Sequence, residues 1–112
     1  MKYPEYTVRC LELTEQLLWD DELDVKRAGS FAIRLTARGQ VEPVRDFLAR
    51  HVPPKDPVAT WVLCDSMRSM AKKLLPEFVP LLARYEQWAA DPALAGQDRR
   101  SVESAVKILR GT

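Results

Sequence analysis

The sequence predicts an all-α fold, an α-solenoid of about three antiparallel helix pairs. Apolar residues recur at helical spacing along the whole chain of 112 residues, and no stretch alternates strictly between apolar and polar residues as a strand does. Proline, glycine and aspartate divide this pattern into six segments of helical length. Two of these segments also align with each other, which is typical of helical repeats.

The first two helices are indicated by their apolar stripes and end signals. Residues 5–19 carry one stripe, which consists of Val8, Leu11, Leu17 and Leu18. Asp24 is placed to cap the second helix, 24–39. The apolar side of this helix consists of Ala28, Phe31, Ala32 and Leu35. Gly39 suits the left-handed residue that ends many helices.

Proline and aspartate mark the next two helices. Pro43 opens a third helix over 43–52, because proline is favoured at the first helical position. The segment "PPKDP" ends it, since the residue before a proline disfavours helical geometry. Asp56 followed by Pro57 is the start signal of a fourth helix, 57–74.

The last two helices follow the same rules. A fifth helix covers 76–90 and contains Pro80, which either replaces an unpaired amide donor in its first turn or kinks it. After the loop "DPALAGQ", Asp98 is placed to cap the last helix, 98–110, and a glycine ends it.

The second and last helices share a sequence pattern. "DVKRAGSFAIRL" at 24–35 aligns without a gap on "DRRSVESAVKIL" at 98–109, with Asp on Asp and Lys26 on Arg100. The fourth helix begins with an aspartate of the same kind. We therefore expect residues 1–112 to form a single domain of HEAT-like repeats, in which neighbouring helix pairs bury one another's faces.

Composition indicates an ordinary globular domain, with 46% hydrophobic and 29% charged residues. No apolar run approaches the roughly 18 residues of a membrane span, and "MKYPEYTVRC" lacks the apolar core of a secretory signal, so we expect a cytoplasmic protein with no membrane partner. Cys10 and Cys64 lack metal-ligand spacing, so we expect reduced core thiols, no metal and no cofactor. His51 beside "VPP" is interpreted as a surface loop residue.

The formal net charge of +1 conceals an uneven distribution. Segments 24–39, 56–74 and 98–110 contain eleven Lys or Arg and five acids, a net of +6, whereas all other residues carry a net of −5. If the second helices of the repeats line one surface, that surface is basic, as in proteins that bind polyanions. We therefore expect weak, salt-dependent binding of duplex DNA. The alternative is that long basic side chains are solvated and pair along their helices.

The stretch "TWVLCDSM" places a carboxylate among apolar residues. Trp61 and Asp65 are four residues apart and so share a helix face. An acid beside an aromatic on a basic surface can stabilise a developing sugar cation, as carboxylates do in glycoside cleavage. The alternative is structural: Trp61 belongs to the core, and Asp65 pairs with Arg99 or Arg100 of the next repeat.

The order of elements along the chain resembles one known family. An "LW" pair at 18–19 precedes an acidic turn, and Trp61 with Asp65 forms a W-x-x-x-D element. Arg100 then follows "QWAAD" one repeat later. Over roughly residues 12–110, this order is similar to that of the HEAT-like-repeat DNA alkylation repair glycosylases, the AlkD family.

The resemblance implies hydrolysis of the N-glycosidic bond of a cationic purine alkylated at N3 or N7. Asp65 would then stabilise the oxocarbenium-like sugar and orient water, Trp61 would pack on the deoxyribose, and Arg100 would hold a phosphate. Such a site leaves the base outside a pocket, unlike enzymes that flip their target base. The other residues expected to bind DNA are Arg99, Arg68, Lys72 and Lys26.

Two departures from the family keep a second function open. Family members are longer, whereas this chain ends at Thr112, and Val62 stands where an acidic residue often follows the tryptophan. We therefore expect a short or truncated member of the family. The alternative is a non-catalytic HEAT module that binds protein or DNA, with its terminal repeats covered by a protein partner or by a second copy.

Overall fold

The computed structural model describes residues 4–111, and the described residues form helices without any strand, which confirms the all-α prediction. The α-helices are α1 Pro4–Leu17, α2 Leu23–Gly39, α3 Val41–His51, α4 Thr60–Lys73, α5 Leu75–Phe78, α6 Leu82–Ala89 and α7 Gly96–Leu109. Short 3-10 turns at Pro57–Ala59 and Val79–Leu81 precede α4 and α6. No helix in the described part of the chain is both long and apolar enough to span a membrane.

The helices are arranged in two layers. In one layer α4 lies between α2 and α7 and packs extensively against both. These three helices run in the same direction. Ser30 contacts Asp65, and residues 34–38 further along α2 line one groove with residues 69–74 further along α4. On the other side of α4, Arg68 reaches Ser101, and Leu75 after α4 lies beside Gly111 after α7. Helices α1, α3 and the α5–α6 segment pack side by side behind them. This arrangement is consistent with a helical-repeat fold, and the solenoid itself stays a prediction.

The core lies between the two layers and is formed by apolar side chains from both. Its largest fully buried members include Tyr85, Phe47, Phe78, Leu18, Ile33, Leu48, Leu63 and Met67. Tyr85 also satisfies its hydroxyl there, because Oη donates a hydrogen bond of 2.8 Å to the backbone oxygen of Leu63. Helix α4 supplies many buried residues, since it has neighbours on both sides within its layer.

Of the three predicted aspartate caps, one is present. Asp56 accepts a hydrogen bond of 2.9 Å from the backbone N–H of Val58, at the turn that leads into α4. The caps predicted at Asp24 and Asp98 are wrong, because both residues lie inside the first turn of their helices, α2 and α7. A carboxylate in a first turn is stabilised by the positive end of the helix dipole and needs no capping hydrogen bond.

The predicted apolar side of α2 is also wrong. Phe31 is 56% exposed and Leu35 is 47% exposed. The buried side of the helix consists mainly of small residues, Gly29, Ser30, Ile33, Thr36 and Ala37. These residues let α2 approach α4 closely, and a Cβ atom at Gly29 would lie 3.6 Å from Val62. Val8 of α1 is likewise exposed at 52%, so the stripe predicted for that helix is only partly correct.

The alignment of α2 with α7 is out of register in the structure. It pairs Ala28, which is exposed, with Val102, which is fully buried. Burial instead matches Ser30 with Val102 and Ala37 with Leu109, so the structural correspondence is shifted by two residues. The shift arises because the two aspartates that anchored the alignment are not equivalent capping positions.

Two helix ends agree with the predictions more closely, whereas α3 begins at Val41 and not at Pro43 as predicted. Helix α2 has Gly39 as its last residue, as predicted. Gly39 is not left-handed, however, and the extended backbone of Gln40 terminates the helix. Gly111, with φ of +81°, follows α7 as predicted. Pro80 divides the predicted fifth helix into α5, a 3-10 turn and α6, because proline cannot donate the hydrogen bond that a continuous helix requires there.

Candidate nucleic-acid interface

An open groove of about 340 Å³ lies between α2 and the C-terminal half of α4, and we call it the α2–α4 groove. Four cationic side chains line it: Arg34, Arg38, Lys72 and Lys73. Its apolar lining consists of Phe31, Leu35, Ala37, Met70 and Leu74. Ser69 completes the lining, which contains no acidic residue.

The sequence places these residues in the groove through helical spacing. Arg34 and Arg38 are four residues apart on α2, as are Phe31 and Leu35, so each pair lies along one line of the helix. Lys72 and Lys73 occupy the last turn of α4, where the negative end of the helix dipole favours cations. Because the two helices run in the same direction, both sets of cations meet at the same end of the groove.

The groove cations differ in their pairing from four other cations of the same layer. Arg27, Arg68, Arg99 and Arg110 each lie within 4.0 Å of a carboxylate. Within residues 4–111, none of the four groove cations has a carboxylate partner at that distance. Arg34 donates one hydrogen bond of 3.3 Å from Nε to the backbone oxygen of Ser30, which leaves its terminal nitrogens for a ligand. The groove is therefore a concentrated positive site.

Asp65 lies on α4 one helical turn before Ser69, which lines this groove, and is itself outside the lining. Its Oδ2 accepts a hydrogen bond of 2.6 Å from the hydroxyl of Ser30, and its Oδ1 lies 3.6 Å from the guanidinium of Arg68. The side chain is 28% exposed. A carboxylate is thus accommodated in a largely buried part of α4, because each of its oxygens has a polar partner.

Neither Arg99 nor Arg100, the two residues expected to pair with Asp65, contacts it. Arg99 donates three hydrogen bonds to backbone oxygens, at 3.0 Å to Ala89, 2.8 Å to Asp91 and 2.8 Å to Leu94. It therefore holds the loop between α6 and α7 and does not reach Asp65.

Arg100 is exposed and donates a hydrogen bond of 3.3 Å to the side chain of Gln97 on its own helix. It lies on α7, whereas the α2–α4 groove is lined by residues of the other two helices of the layer and of the segment after α4. The predicted phosphate contact at Arg100 is therefore not part of this groove.

The structure brings together only part of the predicted site. Trp61 lies one turn before Asp65 on α4 and is half-buried against the core. Lys26 lies near the start of α2, two turns before Arg34, and is also half-buried. Of the residues predicted to bind DNA, Lys72 alone lines the groove.

The sequence prediction missed four groove residues. Arg34, Arg38 and Lys73 belong to the segments with net positive charge, but nothing in the sequence separates them from cations that are paired. Phe31 was assigned to the core, although it lines the groove. Phe31 could have been identified only by knowing which side of α2 is buried, and that side is determined by packing against α4.

The single histidine has a different environment from the predicted surface loop. His51 is the last residue of α3 and is half-buried, with its ring centroid 4.8 Å from that of Phe47 and 6.1 Å from that of Trp19. Its Nε2 lies 3.8 Å from the carboxylate of Glu15. Burial lowers the pKa of His51, despite the opposing effect of Glu15. The surface-loop prediction is wrong, because this side chain packs between α1 and α3.

The cysteines are free, as predicted. Cys64 is buried in α4, and burial raises the pKa of its thiol to about 12, so it stays protonated at neutral pH. Cys10 is half-buried in α1. In the described part of the chain, no group of three or more His, Cys, Asp or Glu side chains is placed to hold a metal ion.

Comparisons of the chain with protein-family models, with curated proteins and with solved structures found no match. The resemblance to the AlkD family thus rests on the order of its sequence motifs.

Proposed function

We propose that this chain is a nucleic-acid-binding helical module whose α2–α4 groove contacts the phosphate backbone of DNA. The observation that carries the proposal is a groove with four cations, none of which is neutralised by a carboxylate within residues 4–111. Like charges placed this closely repel one another, and a bound polyanion relieves that repulsion. Phosphate contacts of this kind carry no sequence information, so the binding is expected to be non-specific.

The affinity is expected to depend steeply on salt. Each phosphate that a cation neutralises releases condensed counterions, with a slope of about −0.9 per contact in a plot of log K against log salt concentration. With three or four contacts, raising the salt from about 50 to about 200 mM weakens binding about 40- to 150-fold. Fluorescence anisotropy with a labelled duplex of about 20 base pairs measures this change. Absence of binding at the lower salt concentration, or binding that salt does not change, would contradict the proposal.

Asp65 supports a second candidate, the N-glycosylase implied by the family resemblance. Its side chain stays 28% exposed, one helical turn before the groove residue Ser69 and one turn after Trp61. In the reaction, the bond between C1′ and the purine nitrogen breaks, and the alkylated base leaves as a neutral molecule with the electron pair. Water adds to C1′ and releases a proton, while the carboxylate stabilises the positive charge that develops on the sugar.

Release of free base from DNA that contains N7-methylguanine or N3-methyladenine tests this candidate. The wild-type chain should release base, and Asp65→Asn should lose most of that activity while it still binds DNA. If no base is released above the uncatalysed rate, the binding module remains as the function.

The cytoplasmic location and a second copy or protein partner also stay predictions. Fractionation of cells tests the location, and sedimentation of the purified chain tests the association.

A further inference from the structure

Two exposed apolar side chains lie in the wall of the basic groove. Phe31 is 56% exposed and Leu35 is 47% exposed, and both line the groove together with its four cations. Phosphate binding alone requires no apolar surface. A ligand that covers this wall must therefore combine negative charge with an apolar or aromatic part.

The geometry around Phe31 suits a flat aromatic ligand. The guanidinium carbon of Arg34 lies over the Phe31 ring, 5.8 Å from its centroid, in a cation–π contact, while the side chain of Phe31 stays 56% exposed. Leu35 continues the apolar wall one turn later. The groove volume of about 340 Å³ lies within the range of pockets that hold small organic ligands, about 300–1,000 Å³.

We propose that the α2–α4 groove binds an unpaired nucleotide of a nucleic-acid strand. The base stacks on Phe31 and packs against Leu35, while the groove cations hold the adjacent phosphates. Aromatic rings set in positively charged grooves bind single strands in this way, and the stacking tolerates any base because every base has a π-face. A paired base cannot bind so, because its faces are covered by its neighbours in the duplex. This inference rests on the proposed function and assigns its substrate as a strand with unpaired bases.

The test separates stacking from charge by comparing two strands of equal charge. One is a labelled oligothymidylate of about 12 nucleotides, and the other is an abasic strand of the same length, which has the phosphates but no bases. The wild-type chain should bind the oligothymidylate about 5- to 150-fold more tightly for one stacked base. The two strands should show the same salt slope, because they offer the same phosphates.

Three variants assign the difference to the groove. Phe31→Ala should remove the preference for the strand with bases, so that this variant binds the oligothymidylate and the abasic strand equally. Phe31→Trp should keep the preference, because tryptophan also stacks. Leu13→Ala is the matched control, since Leu13 is exposed at 57% but lies on α1 in the other layer. Thermal melts monitored by circular dichroism confirm that each variant is folded.

The outcomes distinguish this inference from the function on which it rests. Equal binding of the two strands, or a Phe31→Ala variant that keeps the preference, overturns the unpaired-nucleotide site while salt-dependent duplex binding preserves the proposed function. Absence of binding to every strand and duplex at low salt overturns both. An acidic peptide with interspersed phenylalanines that binds more tightly than either strand, and that requires Phe31, overturns the inference by assigning the groove to a protein partner.

Discussion

At the scale of single residues, Asp65 shows how polar contacts let a carboxylate occupy a largely buried part of α4. Ser30 donates to one of its oxygens at 2.6 Å, and Arg68 lies 3.6 Å from the other. Ser30 is fully buried, so removing the carboxylate leaves a buried hydroxyl without this partner. The hydrogen bond therefore links α2 to α4 beside the groove and makes the side chain structurally important in either function.

A double-mutant cycle between Ser30 and Asp65 measures this link. Ser30→Ala and Asp65→Ala should each destabilise the fold, and the pair should couple by about 1.5–3 kcal/mol, because a hydrogen bond to a charged group contributes about that much. Urea denaturation gives the free energies of unfolding. The control pair combines Asp65→Ala with Ser104→Ala on α7, which should be additive. Additive effects in the Ser30 pair would contradict the contact.

The buried thiol of Cys64 should make the fold less stable at alkaline pH. Burial raises the pKa of its thiol from 9.0 to about 12, so the folded state keeps a proton that the unfolded chain loses above pH 9.0. Its contribution is complete below pH 9.0 and is lost as the pH rises toward 12. Between about pH 8 and about pH 10, the wild-type chain should lose about 1 kcal/mol of stability that Cys64→Ala does not lose. Urea denaturation at both pH values measures the difference, and parallel losses would refute the assignment.

At the scale of elements, α2 shows which parts of the fold the sequence predicts. Periodicity and proline identified the helical segments and the end of α2 at Gly39. They did not identify its buried side, because Gly29 and Ser30 are less apolar than Phe31, and hydrophobicity alone favours the wrong face. Close approach to α4 requires small side chains, and no local pattern contains that requirement. The same error hid Phe31 from the predicted site.

Gly29 tests this account of helix packing. A Cβ atom there would make ordinary contacts of 3.6 Å with Leu17 and Val62, so alanine should fit. Gly29→Ala should raise the free energy of unfolding by about 0.5–1 kcal/mol, because alanine favours helices over glycine. Gly29→Leu should instead lower it by about 1–3 kcal/mol through overpacking. Urea denaturation of both variants measures these changes. If Gly29→Leu raised the free energy of unfolding, α2 and α4 would not be in close contact.

At the scale of the whole molecule, the sequence predicted which segments carry the positive charge, but not which of their cations form ion pairs. Segments 24–39, 56–74 and 98–110, which carry the net positive charge, contain α2, α4 and α7 and lie in one layer, as the repeat pattern led us to expect. Part of that charge is neutralised by ion pairs and backbone contacts, as at Arg99, and the sequence cannot distinguish such cations from those of the groove. Ion pairing depends on distances between helices, which the fold determines.

Binding of duplex DNA by two variants of equal net charge tests the central claim, that the α2–α4 groove binds nucleic acid. The groove variant replaces three exposed cations by glutamine: Arg38, Lys72 and Lys73. The control makes the same replacement at three exposed cations outside the groove: Arg9, Arg50 and Lys55. Both variants carry three fewer positive charges, so any general effect of net charge is the same in each.

Fluorescence anisotropy over a range of salt concentrations gives the affinity and the salt slope for each variant. The groove variant should bind at least about tenfold more weakly than the control, and its slope should be smaller by about 0.9 for each phosphate that it no longer neutralises. The control should keep the slope of the wild-type chain. Equal affinities and equal slopes in the two variants would contradict the claim that this groove is the nucleic-acid-binding site.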